Sequence, residues 1–206
     1  MKKKGLFITF EGIDGSGKTT QWKLTGRYLR RLGYPVLMLR EPGSTPLSER
    51  IRRILLDKRL SVNATSELNL YLAARAELVG EVIVPALRRG EIVVCDRFHD
   101  STMAYQGYGR GIDINLINKL NDLATGAVRP DLTFLVDIDY RTSLSRRKKS
   151  SDRLELESRA FFNRVRSGFL ALARKEKGRF RVLDGREAID TVFDEVIACL
   201  NRKLNR

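Results

Sequence analysis

Gly12-Ile13-Asp14-Gly15-Ser16-Gly17-Lys18-Thr19 fits the pattern G-x-x-x-x-G-K-[ST]. Before it stands Gly5-Leu6-Phe7-Ile8-Thr9-Phe10, a short apolar run with β-branched and aromatic residues, ended by Glu11-Gly12 and read as a buried strand. After it comes a helical pattern from about Lys18 to Leu32, with Gly33 as the stop. In a strand–loop–helix of this kind the glycines let backbone N–H groups turn inward around phosphate oxygens, and the helix N-terminus adds partial positive charge. The stretch from Gly12 to Thr20 is therefore expected to bind the phosphates of a nucleotide. Lys18 is expected to reach the β- and γ-phosphates, and the Thr19 hydroxyl to ligate Mg²⁺.

Outward from this loop, strand and helix patterns alternate to the end of the chain. Pro35 to Arg40 reads as a second strand broken by Glu41-Pro42-Gly43, and a helix follows from about Pro46 to Leu56 with proline in its first turn. A long helical pattern runs from Thr65 to Arg89, and Pro85 within it predicts a kink or an early end. Ile92-Val93-Val94-Cys95 is a buried strand, followed by less regular sequence and a helix near 113–124. Asp131 to Asp137 and Arg179 to Leu183 read as further strands, with helices from about Glu155 to Lys175 and Glu187 to Leu204. The pattern predicts an α/β fold: a five-stranded parallel sheet with helices on both faces, doubly wound, in a single domain over residues 1–206.

Composition narrows the class. No apolar run approaches the roughly 18 residues that span a bilayer. The basic start Met1-Lys2-Lys3-Lys4 is followed by too short an apolar run for a secretory leader, so a cytoplasmic protein is expected. Cys95 and Cys199 both lie in apolar stretches and read as structural thiols. With His99 the sole histidine, zinc sites and Ser-His-Asp catalysis are not expected. The formal net charge of +14 suits either nucleic acid or an enzyme that handles several phosphate groups.

Asp96-Arg97 closes the Ile92–Cys95 strand at its C-terminal end, the edge where open parallel sheets bind ligands. A carboxylate there can organise Mg²⁺ and its waters, and Arg97 can hold an acceptor phosphate through planar contacts.

Together with the loop, five segments resemble the signatures of the thymidylate kinase family, and they stand in the family's order. They are Phe10 to Thr20, Arg40-Glu41-Pro42-Gly43, Asp96-Arg97-Phe98, Ala104-Tyr105-Gln106-Gly107 and Asp152-Arg153-Leu154-Glu155. The resemblance implies transfer of the γ-phosphoryl group of ATP to dTMP with Mg²⁺. It places Arg40, Glu41, Arg52 and Arg75 around the monophosphate, with Arg75 reaching the base. Tyr71 stands where the family has an aromatic ring stacked on thymine. Thr102 and Gln106 match polar positions facing the base and the metal region, Tyr105 a residue that crowds the sugar 2′ position, and Asp14 a carboxylate near the sugar 3′-hydroxyl.

The basic run at about 141–155 holds Arg141, Arg146, Arg147, Lys148, Lys149 and Arg153. The resemblance makes it a lid over ATP. Ile13 and Ser16 leave the loop without an arginine, so the lid is expected to supply that charge, as in the typical bacterial class. Arg147, Lys149 and Arg153 are the candidates. A homodimer is implied by the resemblance alone, and no nucleic-acid partner is expected. Another nucleoside monophosphate kinase, or a nucleic-acid-binding ATPase with the same loop, are the alternatives.

Overall fold

In a computed structural model that describes residues 5–147 and 153–204, parallel strands form one sheet in the order β2-β3-β1-β4-β5. They are β1 (Leu6–Glu11), β2 (Val36–Arg40), β3 (Ile92–Asp96), β4 (Leu132–Asp137) and β5 (Phe180–Asp184). β1 is central, with Ile8 opposite Val94 on one side and opposite Leu132 on the other.

Alternation along the strands shows how the two faces are covered. Ile8, Phe10, Val94, Phe134 and Val136 pack with Leu29 of α1 (Lys18–Arg31) and Val192, Val196 and Leu200 of a C-terminal helix at Ile189–Leu204. Phe7, Val93 and Cys95, one residue out of phase, pack on the opposite face with Leu78 and Ala86. Leu135 of β4 joins that second face under Phe161, Phe162, Val165 and Phe169. Strands buried on both faces explain the near-continuous apolar runs of β1 and β3.

The helices follow local signals. Thr45 caps α2 (Pro46–Leu56), and Asn63 caps α3 (Ala64–Leu78) by accepting the Ser66 N–H at 2.8 Å, one residue ahead of the expected start. The long pattern then passes through a wide π-turn at Val79–Ile83 before α4 (Val84–Arg88), whose first turn holds Pro85. A proline there needs no N–H, so the expected break is taken up by the π-turn rather than by an end to the helix. The stretch after β3, read as irregular, is α5 (His99–Thr102) running into a second π-helical segment at Met103–Gly109. After α6 (Ile114–Thr125), the start of the basic run forms α7 (Tyr140–Arg146), capped by Asp139. The helix expected from Glu155 begins later: Ser158 accepts the Phe161 N–H at 3.2 Å, and α8 covers Arg159–Lys175, with a 3₁₀ turn at Leu154–Leu156 before it. The last helix, α9, is Ile189–Leu204. Lys148, Lys149 and Asp152 lie outside the described residues.

Candidate active site

The loop between β1 and α1 is built by residues that a side chain would spoil. Gly12 has φ 140°, and a Cβ there would stand 2.5 Å from the Val136 carbonyl oxygen. Gly15 has φ 78°, and its Cβ would meet the Ser143 carbonyl oxygen at 2.8 Å, which brings α7 directly against the loop. Gly17, at the N-cap of α1, brings no side chain to the helix end, and Ser16 Oγ accepts the Lys18 N–H at a long 3.4 Å, so the N-terminus presents its positive end to an anion. Lys18 is buried, with Nζ 3.4 Å from Asp14 Oδ1.

Thr19 and Asp96 meet although they are far apart in sequence. The Thr19 hydroxyl donates to Asp96 Oδ2 at 2.5 Å, while the other carboxylate oxygen, Oδ1, is buried and has no partner among the described residues. A hydroxyl and an unsatisfied carboxylate oxygen, facing a phosphate-binding loop, form a donor set that fits a hydrated Mg²⁺. Among the described residues no cluster of three or more His, Cys, Asp or Glu side chains suits a metal, so the fit is to an ion held largely by substrate and water.

Arg97 follows β3 with φ 72°, a conformation that costs a side-chain-bearing residue roughly 1–2 kcal/mol. The turn swings its guanidinium back across the end of β1. There it donates to the Gly12 carbonyl at 3.1 Å, to Asp14 Oδ1 at 2.6 Å and to Ser101 Oγ at 3.2 Å, and lies 5.1 Å from the centre of the Tyr105 ring. Burial would raise the Asp14 carboxyl pKa, but Arg97 and Lys18 outweigh it and hold the group well below the usual carboxylate range. Glu11, just before the loop, accepts the Phe98 N–H at 2.8 Å and the Ser101 hydroxyl at 2.6 Å. Burial and the nearby Asp100 push its pKa up to about 8.

A cleft of about 510 Å³ opens beside Arg97, lined by Asp14, Arg52, Tyr71, Thr102, Tyr105 and Gln106 among others. Ser101, Thr102, Tyr105 and Gln106 all reach it because the widened turn at 103–109 keeps positions four and five apart on one face. Arg52 donates to the Pro42 carbonyl at 2.9 Å. Burial first, then repulsion from Arg40, lowers its pKa, the mark of a cation whose charge calls for an anion. Glu41 also lines this cleft.

Three expected site residues sit differently. Arg40 does not line the cleft; its half-exposed guanidinium is paired with Glu49 at 3.0 Å. Arg75 is buried behind the cleft, and each nitrogen of its guanidinium is bonded to protein. Nε and Nη2 reach Glu41 Oε2 at 2.8 and 2.6 Å, Nη1 reaches Thr102 and Asn121 at 2.8 Å, and Nη2 also reaches the Phe98 carbonyl at 3.2 Å. Arg153 donates to Glu67 Oε2 at 2.6 Å and to the Leu55 carbonyl. Arg147 lies nearer the loop. It donates to Ser143 Oγ at 2.6 Å while that hydroxyl donates to the Asp14 carbonyl, and its guanidinium stacks 4.1 Å above Phe162.

A second cleft of about 690 Å³ adjoins the other side of the loop, lined by Gly15, Gly17, Thr20, Arg146, Gly185 and Ile189 among others. Arg146 donates to the Gly185 carbonyl at 2.6 Å and so lies across this cleft. Sequence reasoning did not single it out from its basic neighbours; the placement of α7 against Gly15 is what distinguishes it. Ser101 and Glu67 were missed as well, because neither stands in a motif.

The thymidylate kinase family model matches residues 10–196. A thymidylate kinase from Pelotomaculum thermopropionicum is 48% identical over 206 residues, covering 98% of this chain and 95% of the relative. Another, from Geobacter sulfurreducens, is 48% identical over 211 residues, covering 98% and 99%. The crystal structure of thymidylate kinase from Ehrlichia chaffeensis superposes with a TM-score of 0.80 at 43% identity, covering 96% of this chain and 98% of that one.

Proposed function

The chain belongs to the thymidylate kinase family, and we propose that its two clefts hold that reaction's two nucleotides: dTMP in the cleft beside Arg97, and ATP along the loop and the Arg146–Gly185 cleft. The reaction is phosphoryl transfer from ATP to dTMP, giving ADP and dTDP. An acceptor phosphate monoester has a second pKa of about 6, so its oxygen is largely ionised at neutral pH and needs no strong general base. The single histidine is buried behind the site, with burial holding its pKa down at about 3, and takes no part.

Alignment and charge then do the work. Arg97 and Arg52 hold the 5′-phosphate of dTMP, and Asp14 orients Arg97 while standing near the sugar. Tyr71 stacks on the thymine, Tyr105 crowds the 2′ position, and Thr102 and Gln106 face the base. Arg75 acts through Thr102, to which it is bonded. Gly12 to Thr20 hold the ATP phosphates, with Lys18 on the β- and γ-groups. Thr19 and Asp96 would hold Mg²⁺, which when bound neutralises charge on the phosphate oxygens. Arg147 is the lid arginine best placed for the transferring group, since it already rests on the loop through Ser143. Arg153 braces the root of the lid.

The observation that carries this reading is the placement of Arg97, bonded at once to the phosphate loop and to the wall of the dTMP cleft. Arg97→Ala is expected to lower kcat/KM about 10³-fold, and Lys18→Ala by about 10²–10³-fold, with unchanged circular dichroism. Turnover within a few-fold of the parent enzyme in either variant would refute the assignment.

The working form in this proposal is a cytoplasmic homodimer. Exposed Leu116 and Leu123 on α6, beside the small exposed Ala73 and Ala76 on neighbouring α3 and Gly80 in the π-turn after it, supply an apolar face suited to a second copy. Among the described residues no helix is long and apolar enough to cross a membrane.

A further inference from the structure

Glu67 of α3 is fully buried and takes no part in the chemistry above. Its Oε1 accepts from Gln106 Nε2 at 2.7 Å and Arg110 Nε at 3.2 Å, and its Oε2 from Arg110 Nη2 at 3.0 Å and Arg153 Nη2 at 2.6 Å. Burial alone would raise its carboxyl pKa, yet the hydrogen bonds from Arg110, Gln106 and Arg153 prevail and hold it below the ordinary value. The group is therefore ionised at neutral pH and can only accept hydrogen bonds.

That decides which way the Gln106 amide points. Only its NH₂ arm can face an ionised carboxylate, so Oε1, on the other arm, is turned away from Glu67. Gln106 lines the dTMP cleft, and the carbonyl arm, turned from Glu67, is the one left to face it. One turn earlier the same logic runs with the opposite sign. Thr102 receives Arg75 Nη1 at 2.8 Å; a guanidinium only donates, so the hydroxyl accepts there and its own proton is directed elsewhere. Thr102 also lines the cleft. Two buried charges thus leave the pocket a hydroxyl donor beside a carbonyl acceptor.

We infer that Glu67 is a positioning residue for base selection: by fixing Gln106 with its carbonyl toward the cleft, it selects a pyrimidine that carries N3–H next to a C4 carbonyl. Thymine and uracil present that edge. Cytosine presents the reverse, an amino donor next to a bare N3, and meets a carbonyl where it needs a donor. The inference rests on the assignment of this cleft to dTMP.

The test measures Kd for dTMP by titration calorimetry, and for dCMP by competition against dTMP. The proteins are the parent enzyme, Glu67→Gln, Gln106→Met and the double variant. A carboxamide at position 67 offers both a donor and an acceptor, so it no longer dictates the Gln106 orientation. Glu67→Gln is expected to lower the dTMP-over-dCMP preference at least 10-fold. In the Gln106→Met background the same change should alter the preference less than two-fold, because Glu67 acts through Gln106. A purely structural role would weaken both nucleotides in equal proportion, and either that result or an unchanged preference would overturn the inference, as would effects that multiply in the double variant. If Glu67→Gln does not fold, Glu67→Asp carries the same test: it keeps the charge for Arg110 and Arg153 while withdrawing the oxygen from Gln106, and an unchanged preference there is equally fatal. Failure of the parent enzyme to bind dTMP would strike the cleft assignment instead, and is read from the parent alone.

Discussion

Arg97 and Glu11 occupy adjacent strand ends, and their side chains meet around Ser101, which donates to Glu11 and accepts from Arg97. Glu11 is the residue whose charge state should be visible in bulk measurements. Its folded pKa of about 8 stands above the ordinary 4.5, because burial and Asp100 disfavour the carboxylate. The native state therefore binds more protons than the unfolded state between those two values. The contribution to stability is fully present below about pH 4.5 and is lost as pH rises through about 8. Denaturant titrations of the parent protein and Glu11→Gln across pH 5–9 are expected to show a falling stability in the parent that the variant lacks. Parallel pH profiles for the two proteins would show that Glu11 does not carry the linkage. The nearby Asp14 is governed by the opposite balance, with Arg97 and Lys18 overcoming burial, so it stays ionised throughout that range.

At the level of elements, the loop between β1 and α1 is closely packed at Gly12 and Gly15, where its neighbours leave no room for a side chain. Gly12→Ala forces a Cβ against the Val136 carbonyl at a backbone φ of 140°, and is expected to lower unfolding stability by about 2–4 kcal/mol while abolishing ATP binding. A variant as stable as the parent in chemical denaturation would contradict that packing. This loop, its flanking strand and helix, and the order of the strands that follow were legible in the sequence because each is a local signal: glycines at a turn, short β-branched runs, a proline or glycine at an end. The 99–109 stretch was not legible. Its π-turns arise from packing against α8, where Gly109 abuts Phe161 and Gly168 abuts Tyr108, and no short-range pattern announces them. Residue roles divide the same way. Lys18, Asp96 and Arg97 stand in motifs with a mechanism, whereas the pairing of Arg40 with Glu49, and of Arg153 with Glu67, joins residues on separate elements or distant in the chain. Arg146 was hidden among like neighbours until α7 placed it beside Gly185.

For the whole molecule, the net charge of +14 and the apolar α6 face are the two features that the single chain leaves open. Leu123 is 81% exposed; in sedimentation velocity at micromolar concentration the parent is expected to run as a dimer and Leu123→Glu as a monomer, and equal sedimentation coefficients would contradict the proposed dimer face. Part of the charge stands at the two clefts, with Arg52 and Arg97 lining one and Arg146 the other. The most direct test of the central claim is a coupled ADP-release assay with ATP and Mg²⁺ against a panel of nucleoside monophosphates, with and without DNA. Strong turnover with dTMP, weaker turnover with dUMP and none with ribonucleotides, all independent of DNA, is the predicted result. ADP release that appears only when DNA is added, with dTMP inert, would contradict the account.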